Sequence, residues 1–194
     1  MAENAALRDY LKTRRSVGLG FLQEPGPNPA QLEEILTIGT RVPDHGKLSP
    51  WRLVVIAGDE RAKAGAMLAD VLKRRNPAIE DAALDLERRR FLPAPVTIGV
   101  LVSPRTHPKA PEIEQILSAG NVCFNLSHAA FALGFAAVWV NPWYGFDTET
   151  QTMLGARGGE KFVGFVHIGT PTIVPEDRAR PALADVVTYW HAPH

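Results

Sequence analysis

A chain of 194 residues can bury roughly 70% of its unfolded surface, so one domain can form without disulfides or a structural metal. Apolar residues make up 45% and charged residues 22%, an ordinary globular mixture that excludes wholesale disorder. Lys plus Arg and Asp plus Glu each number 21, giving zero formal net charge, which argues against a grip on nucleic acid; the single cysteine, Cys123, excludes an intramolecular disulfide and a thiolate metal cluster.

Residues 5–13 predict a short helix running into Arg14-Arg15-Ser16. A connector, Pro25-Gly26-Pro27-Asn28-Pro29, precedes a second helix whose positions Leu32, Ile35, Leu36 and Gly39 keep the spacing of a half-buried face. Asn28 reads as its N-cap, Pro29 as its first residue and Pro43 as its stop. After a polar loop, residues 51–57 have strand length and apolar character. Residues 59–75 and 77–91 read as two charged, amphipathic helices. Their eight Lys/Arg against five Asp/Glu over 61–90 suit a solvated face. Residues 95–102 predict a buried strand. Residues 112–134 form the longest periodic segment, with Ile113, Ile116, Leu117, Gly120, Cys123, Leu126, Ala130 and Leu133 near one stripe. Residues 135–140 and 162–169 read as two more buried strands, and 186–190 as a short strand-like stretch. Strands alternating with helices in one chain predict a single layered α/β or α+β domain over 1–194.

The polar residues 1–10 lack a leader pattern, and the apolar stretches at 95–103 and 129–140 are too short or too interrupted to span a bilayer. A reducing, cytoplasmic setting is therefore expected.

Several catalytic patterns fail. No strand is followed by the glycine-rich turn of a dinucleotide fold. Gly155-Ala156-Arg157-Gly158-Gly159-Glu160-Lys161 has Glu160 and Phe162 where a phosphate loop needs glycine and Ser or Thr, and reads as an exposed turn. His45, His107, His128, His167, His191 and His194 lack metal-ligand spacing, so no metal site is expected. No serine sits on a nucleophile elbow, and Cys123 lies within the apolar stripe as a buried thiol.

Three features remain, each with two readings. Arg14-Arg15-Ser16 offers two guanidinium groups and a hydroxyl, good chemistry for a phosphate monoester, or else a solvated basic helix end. The stretch from Arg41 through Pro43-Asp44-His45 to Pro50-Trp51 is either a ligand-facing loop or a plain helix-to-strand connector. Trp139-Val140-Asn141-Pro142-Trp143-Tyr144-Gly145 closes a strand with aromatic rings that suit a flat heteroaromatic ligand or a core cluster.

In this order and spacing these motifs resemble the nitroreductase family, together with Gly134-Phe135-x-x-x-Trp139 and Val163-Gly164-Phe165-x-x-x-Gly169-Thr170-Pro171. The resemblance runs over about residues 8–190 and is closest to the small, single-domain NAD(P)H nitroreductases. It implies an α+β three-layer fold, a mixed central β-sheet flanked by helices, and an intertwined homodimer with FMN sites between subunits. By position, Arg14, Arg15, Ser16, Arg41, His45, Trp139, Val140 and Asn141 correspond to FMN contacts. Ala129, Ala130, Phe131, Ala132, Leu133 and Gly134 correspond to a region associated with NADH or NADPH. The implied reaction is ping-pong hydride transfer from NAD(P)H through FMN to a nitroaromatic- or quinone-like small molecule. The flavin carries the chemistry, so no catalytic side chain is required. One arginine, Arg14 or Arg15, would stabilise the reduced ring edge. Dehalogenation or flavin fragmentation on the same scaffold, with residues 59–92 as a lid, and a flavin-storing regulatory dimer are the alternative readings. Arg178 and Arg180 match no family position. Val140 stands where the closest subgroup has a basic residue.

Overall fold

The computed structural model describes residues 2–192, which fall into two compact units, one of residues 16–173 and one of the two chain ends. The strands are β1 (Leu22–Gln23), β2 (Trp51–Ala57), β3 (Val96–Val102), β4 (Ala136–Val140) and β5 (Lys161–Pro171). The helices are α1 (Ala5–Thr13), α2 (Pro29–Gly39), α3 (Glu60–Arg75), α4 (Asp81–Arg88), α5 (Glu112–Ala132), α6 (Thr148–Met153) and α7 (Leu183–Val186). The polar spacing and capping residues locate most of these boundaries to within a few residues. Residues 186–190 are a correction: they hold the end of the one-turn α7 and irregular chain, with no strand.

In the larger unit the sheet runs β1-β5-β3-β2, with β4 also paired to β5. Every pairing among the described residues is antiparallel, which corrects the expected mixed sheet. The α5 crossover does make β3 and β4 run in the same direction. However, β5 lies between them and is antiparallel to both.

Alternation along β3 sends its side chains to two helical layers. Val96, Ile98, Val100 and Val102 pack with Ile35 of α2 and with Ala119, Val122 and Leu126 of α5. On the opposite side Leu101 joins Phe162 and Phe165 of β5, Leu68 of α3, Phe91 and Tyr144. The result is helix, sheet, helix. Since Ala64, Leu68 and Phe91 are part of that second core, residues 59–92 are packed structure and not a free lid.

Local chemistry explains the helix limits. The Asn28 side chain accepts from Gln31 N–H at 2.9 Å and the Gln31 side chain accepts from Asn28 N–H at 3.0 Å, a capping box that fixes the start of α2. The helix ends at Gly39, before Pro43, where Thr40 and Arg41 turn back onto Leu36 and Ile38. An ideal Cβ on Gly39 would lie 2.3 Å from Leu126 Cδ2, so the missing side chain lets α2 settle on α5. Along α5 the buried residues include Gln115, Ser118, Ala119, Val122 and Leu126. Ile113 and Leu117, expected on the buried stripe, are each 59% exposed. The small residues turn inward, where the helix lies closest to the sheet. Cys123 is buried, and burial pushes its thiol up to about 12.

Arg75, at the end of α3, forks onto Asp147 at 2.9 and 3.0 Å and reaches Glu149 at 2.7 Å. Arg52 on β2 holds Glu160 at 2.8 and 2.5 Å, tying the turn at 155–160 to the sheet as an ordinary exposed turn. His167 is fully buried opposite Thr97, with Nδ1 and Thr97 Oγ1 2.8 Å apart.

In the chain-end unit, Asn4 caps α1 by accepting from Leu7 N–H at 3.1 Å. Arg15 donates to the Glu176 carbonyl and lies 3.9 Å from the Asp177 carboxylate.

These groups predict a graded loss of stability in acid. Desolvation, and secondarily Arg90, lowers His167 from an ordinary 6.5 to about 4. The Arg52 hydrogen bond lowers Glu160 from 4.5, and the Arg75 hydrogen bond lowers Asp147 from 3.8, each to about 2. All three bind fewer protons folded than unfolded, so stability falls as pH drops through each window. The thermal midpoint is expected to decline from about pH 6.5 downward, and Glu160→Gln to flatten the part below about pH 4.5.

Candidate functional site

The connector between α2 and β2 is built by one carboxylate. Asp44 accepts from Leu48 N–H at 3.0 Å and from Ser49 N–H at 2.8 Å, so its side chain organises the loop. Within that loop Gly46, Lys47 and Ser49 all have positive φ, at 76°, 55° and 44°. Two non-glycine residues in the left-handed region carry strain that the surrounding bonds must overcome. Arg105 adds a bond to the Leu48 carbonyl at 2.6 Å.

The loop is fastened to one side of α5. Glu114 Oε2 lies 2.6 Å from His45 Nδ1. Ser118 donates to the Pro43 carbonyl at 2.7 Å and accepts from Trp51 Nε1 at 3.2 Å. Asn125 donates to the carbonyls of Ile38 and Arg41 at 2.5 and 3.3 Å. Arg41 itself is exposed, and its guanidinium makes no ion pair among the described residues.

A second group of residues gathers on β4. Ser16 is exposed and precedes Val17, whose N–H donates to the Ala137 carbonyl at 3.2 Å. The Trp139 indole lies flat against β5. An ideal Cβ on Gly164 would sit 1.9 Å from its Nε1, so only glycine leaves room for the ring. Trp139 remains 41% exposed, and its far edge reaches α5 beside Gly120, at 3.8 Å from that residue's ideal Cβ. Val140 is half-buried. Asn141 Oδ1 is buried and has no hydrogen-bond partner. Tyr144, from the same motif, is fully buried in the aromatic core against Phe165 and Phe91. Burial raises its hydroxyl well above the usual phenol range, and that hydroxyl and His167 Nε2 are likewise without partners.

Six of the eight residues matched to FMN, Ser16, Arg41, His45, Trp139, Val140 and Asn141, lie in the larger unit, where they form separate groups. Glu114, Ser118 and Asn125 lie within about 40° of one another around α5, and Gly120 about 140° from the middle of that row, at 100° per residue. Arg41 and His45 flank one side of α5 and Trp139 another, while Asn141 Oδ1 lies buried beside Gly145 and Phe165 on the opposite face of the sheet. Between the two flanks, on the outward side, stand Ile113, Leu117 and Phe124, all exposed. Arg14 and Arg15 belong to the chain-end unit, where Arg14 N–H closes α1 on the Tyr10 carbonyl. The run Ala129–Gly134 ends α5. Ala129 and Ala130 are buried in the core, Phe131 and Leu133 pack at its margin, and Gly134, at φ 84°, turns the chain into β4. Only Ala132 and Gly134 are exposed, so side-chain contact with a dinucleotide is not available from the two buried alanines. No group of three or more His, Cys, Asp or Glu that could hold a metal occurs among the described residues. His194 lies outside them.

The nitroreductase family profile matches residues 11–170. A protein of Escherichia coli strain K12 that carries the provisional name NAD(P)H nitroreductase YdjA is 33% identical over 165 residues, covering 85% of this chain and 88% of the relative. The chain belongs to the nitroreductase family. Among solved structures, this nitroreductase-family fold is similar to a Bacillus cereus nitroreductase-like protein with TM-score 0.81 at 22% identity, over 99% of this chain and 100% of that one. It is also similar to a Desulfovibrio desulfuricans protein crystallised in complex with FMN, with TM-score 0.72 at 21% identity, over 99% and 100%. Family membership places the chain among the oxidoreductases. No helix among the described residues is long and apolar enough to cross a membrane.

Sequence reading missed the polar row of α5. Its signal was present: Glu114, Ser118 and Asn125 recur at helical spacing beside the apolar stripe, where a solvated face would tolerate any residue. Asp44→Ala should remove both loop bonds and cost about 1–3 kcal/mol, measured by urea unfolding, with Asp44→Asn losing less because its amide oxygen still accepts.

Proposed function

We propose that this nitroreductase-family chain is an FMN-dependent oxidoreductase of 194 residues acting as one functional domain in a homodimer. It would pass reducing equivalents from NADH or NADPH to a nitroaromatic- or quinone-like small molecule. The observation that supports the reading is the arrangement around α5: Arg41 and His45 lie on one side and Trp139 on another, with the exposed Ile113, Leu117 and Phe124 between them. A second copy covering Ile113, Leu117 and Phe124 would bring one protomer's Arg41 and His45 towards the other's Trp139.

The residues fit FMN. Trp139, held flat by Gly164 and open on its outer side, offers an aromatic wall for a heteroaromatic ring. Asn141 Oδ1 lacks a partner, and the uncommitted Arg41 guanidinium suits a carbonyl or phosphate oxygen. Arg14, Arg15 and Ser16 are proposed as phosphate contacts from their family positions alone, two guanidinium groups and a hydroxyl being suited to a phosphate. Bound FMN supplies the two-electron chemistry, so the protein's work is binding, orientation and exclusion of water. That division agrees with the core histidine: His167 is held neutral at physiological pH by burial and is a packing residue.

Exposed large apolar side chains support the dimer. Besides the α5 row, Leu7 and Leu11 of α1 and Leu183, Val186, Tyr189 and Trp190 near the C-terminus are all at least half exposed, more apolar surface than an isolated chain usually shows to water. No bulk charge directs the protein to nucleic acid, and the expected setting is the cytoplasm. Leu117→Glu places a charge on the surface row without touching the core. Wild type is expected to sediment as a dimer with bound FMN and the variant as a folded monomer that has lost it; a variant that stays dimeric, or a monomer that keeps FMN, contradicts the reading.

A further inference from the structure

We propose that Glu114 is the positioning residue for His45: it fixes the imidazole proton on Nδ1 and turns Nε2 into the hydrogen-bond acceptor offered to the cofactor. The proposal rests on the reading of His45 as an FMN contact.

The argument begins with the 2.6 Å contact between Glu114 Oε2 and His45 Nδ1. An ionised carboxylate can only accept a hydrogen bond, so Nδ1 must carry the proton at this distance. Whenever the ring is neutral, its lone pair is then on Nε2. Both side chains are about half exposed, 52% for His45 and 46% for Glu114, and exposed pairs of this kind add little to stability. The contact therefore matters for orientation and protonation more than for holding the fold.

The surroundings leave the ring as the free element and Glu114 as its control. Asp44 and the left-handed residues 46, 47 and 49 fix the backbone after His45. Ser118 and Asn125 fix the backbone before it, through the carbonyls of Pro43, Ile38 and Arg41. Within the polar row of α5, Ser118 and Asn125 bind main chain at these points; Glu114 binds a titratable side chain. It stands in the first turn of a 21-residue helix that packs on the sheet, a rigid base from which to aim a ring. FMN presents hydroxyls and a ring N–H as donors, and an acceptor Nε2 matches those groups. An Nδ1-accepting, Nε2-donating ring would match phosphate or carbonyl oxygen instead, so the tautomer selects which part of the cofactor His45 can meet.

The test uses the full-length protein with isotope-labelled histidine and long-range proton–nitrogen correlation, the His45 signals being assigned by their loss in His45→Ala. FMN affinity is read separately by flavin fluorescence quenching. Wild type should show the Nδ1–H tautomer. Glu114→Ala should shift His45 towards Nε2–H and weaken FMN binding roughly tenfold, the size of one lost charge-assisted bond. Glu114→Gln, whose amide oxygen still accepts, should keep the tautomer and stay within about twofold of wild type. A wild-type Nε2–H ring, or a tautomer unmoved in Glu114→Ala, overturns the proposal. If the tautomer moves but neither His45→Ala nor Glu114→Ala alters FMN affinity, the placing of His45 at the flavin is overturned instead.

Discussion

Three sides of α5 carry three different obligations. One row, Ala119, Val122 and Leu126, lies against the sheet. A polar row, Glu114, Ser118 and Asn125, fastens the α2–β2 connector. Ile113, Leu117 and Phe124 face outward, with Gly120, next to the tip of Trp139, at the edge of that outward side. A helix has only about 360° to share at 100° per residue, so each row constrains the others. Rotating the helix to bury Ile113 would withdraw Glu114 from His45. The exposed apolar row thus follows from the rows beside it, and in the proposed dimer a second copy would cover it.

The chemistry of the site follows from what the rest of the chain withholds. The buried thiol of Cys123 is pushed up to about 12, too high for a nucleophile at neutral pH. His167 is a neutral core residue, and the carboxylates with the largest shifts, Asp147 and Glu160, are held by arginines in structural clamps. What remains near the connector and β4 is an arginine without an ion pair, an indole open on one side and an amide oxygen without a partner. Under the proposed function, such a set would bind and orient a flat anionic cofactor and leave the electron transfer to it.

Much of this was legible in the sequence where local chemistry decides. Asn28-Pro29 marks the start of α2, and β2 runs from Trp51 to Ala57 as the apolar run indicates. The motifs around Arg41, His45 and Trp139 pointed to the family that the whole-chain comparison then established. Non-local facts were not legible. Antiparallel pairing throughout depends on β5 entering between β3 and β4, which no spacing encodes. The orientation of α5 was misjudged because apolar character was equated with burial. Small Ser118 and Ala119 take the inside, where the helix approaches closest, and Leu117 takes the outside. Val187, Tyr189 and Trp190 have strand-like composition, yet composition alone cannot supply a neighbouring strand.

The most direct test of the central claim is the visible spectrum of the purified protein, recorded anaerobically before and after NADPH is added. A flavin band that bleaches on addition is the predicted result and identifies a reducible cofactor held by this chain. A colourless protein that cannot be reconstituted with FMN would contradict the account and return Arg41, Trp139 and Asn141 to purely structural roles.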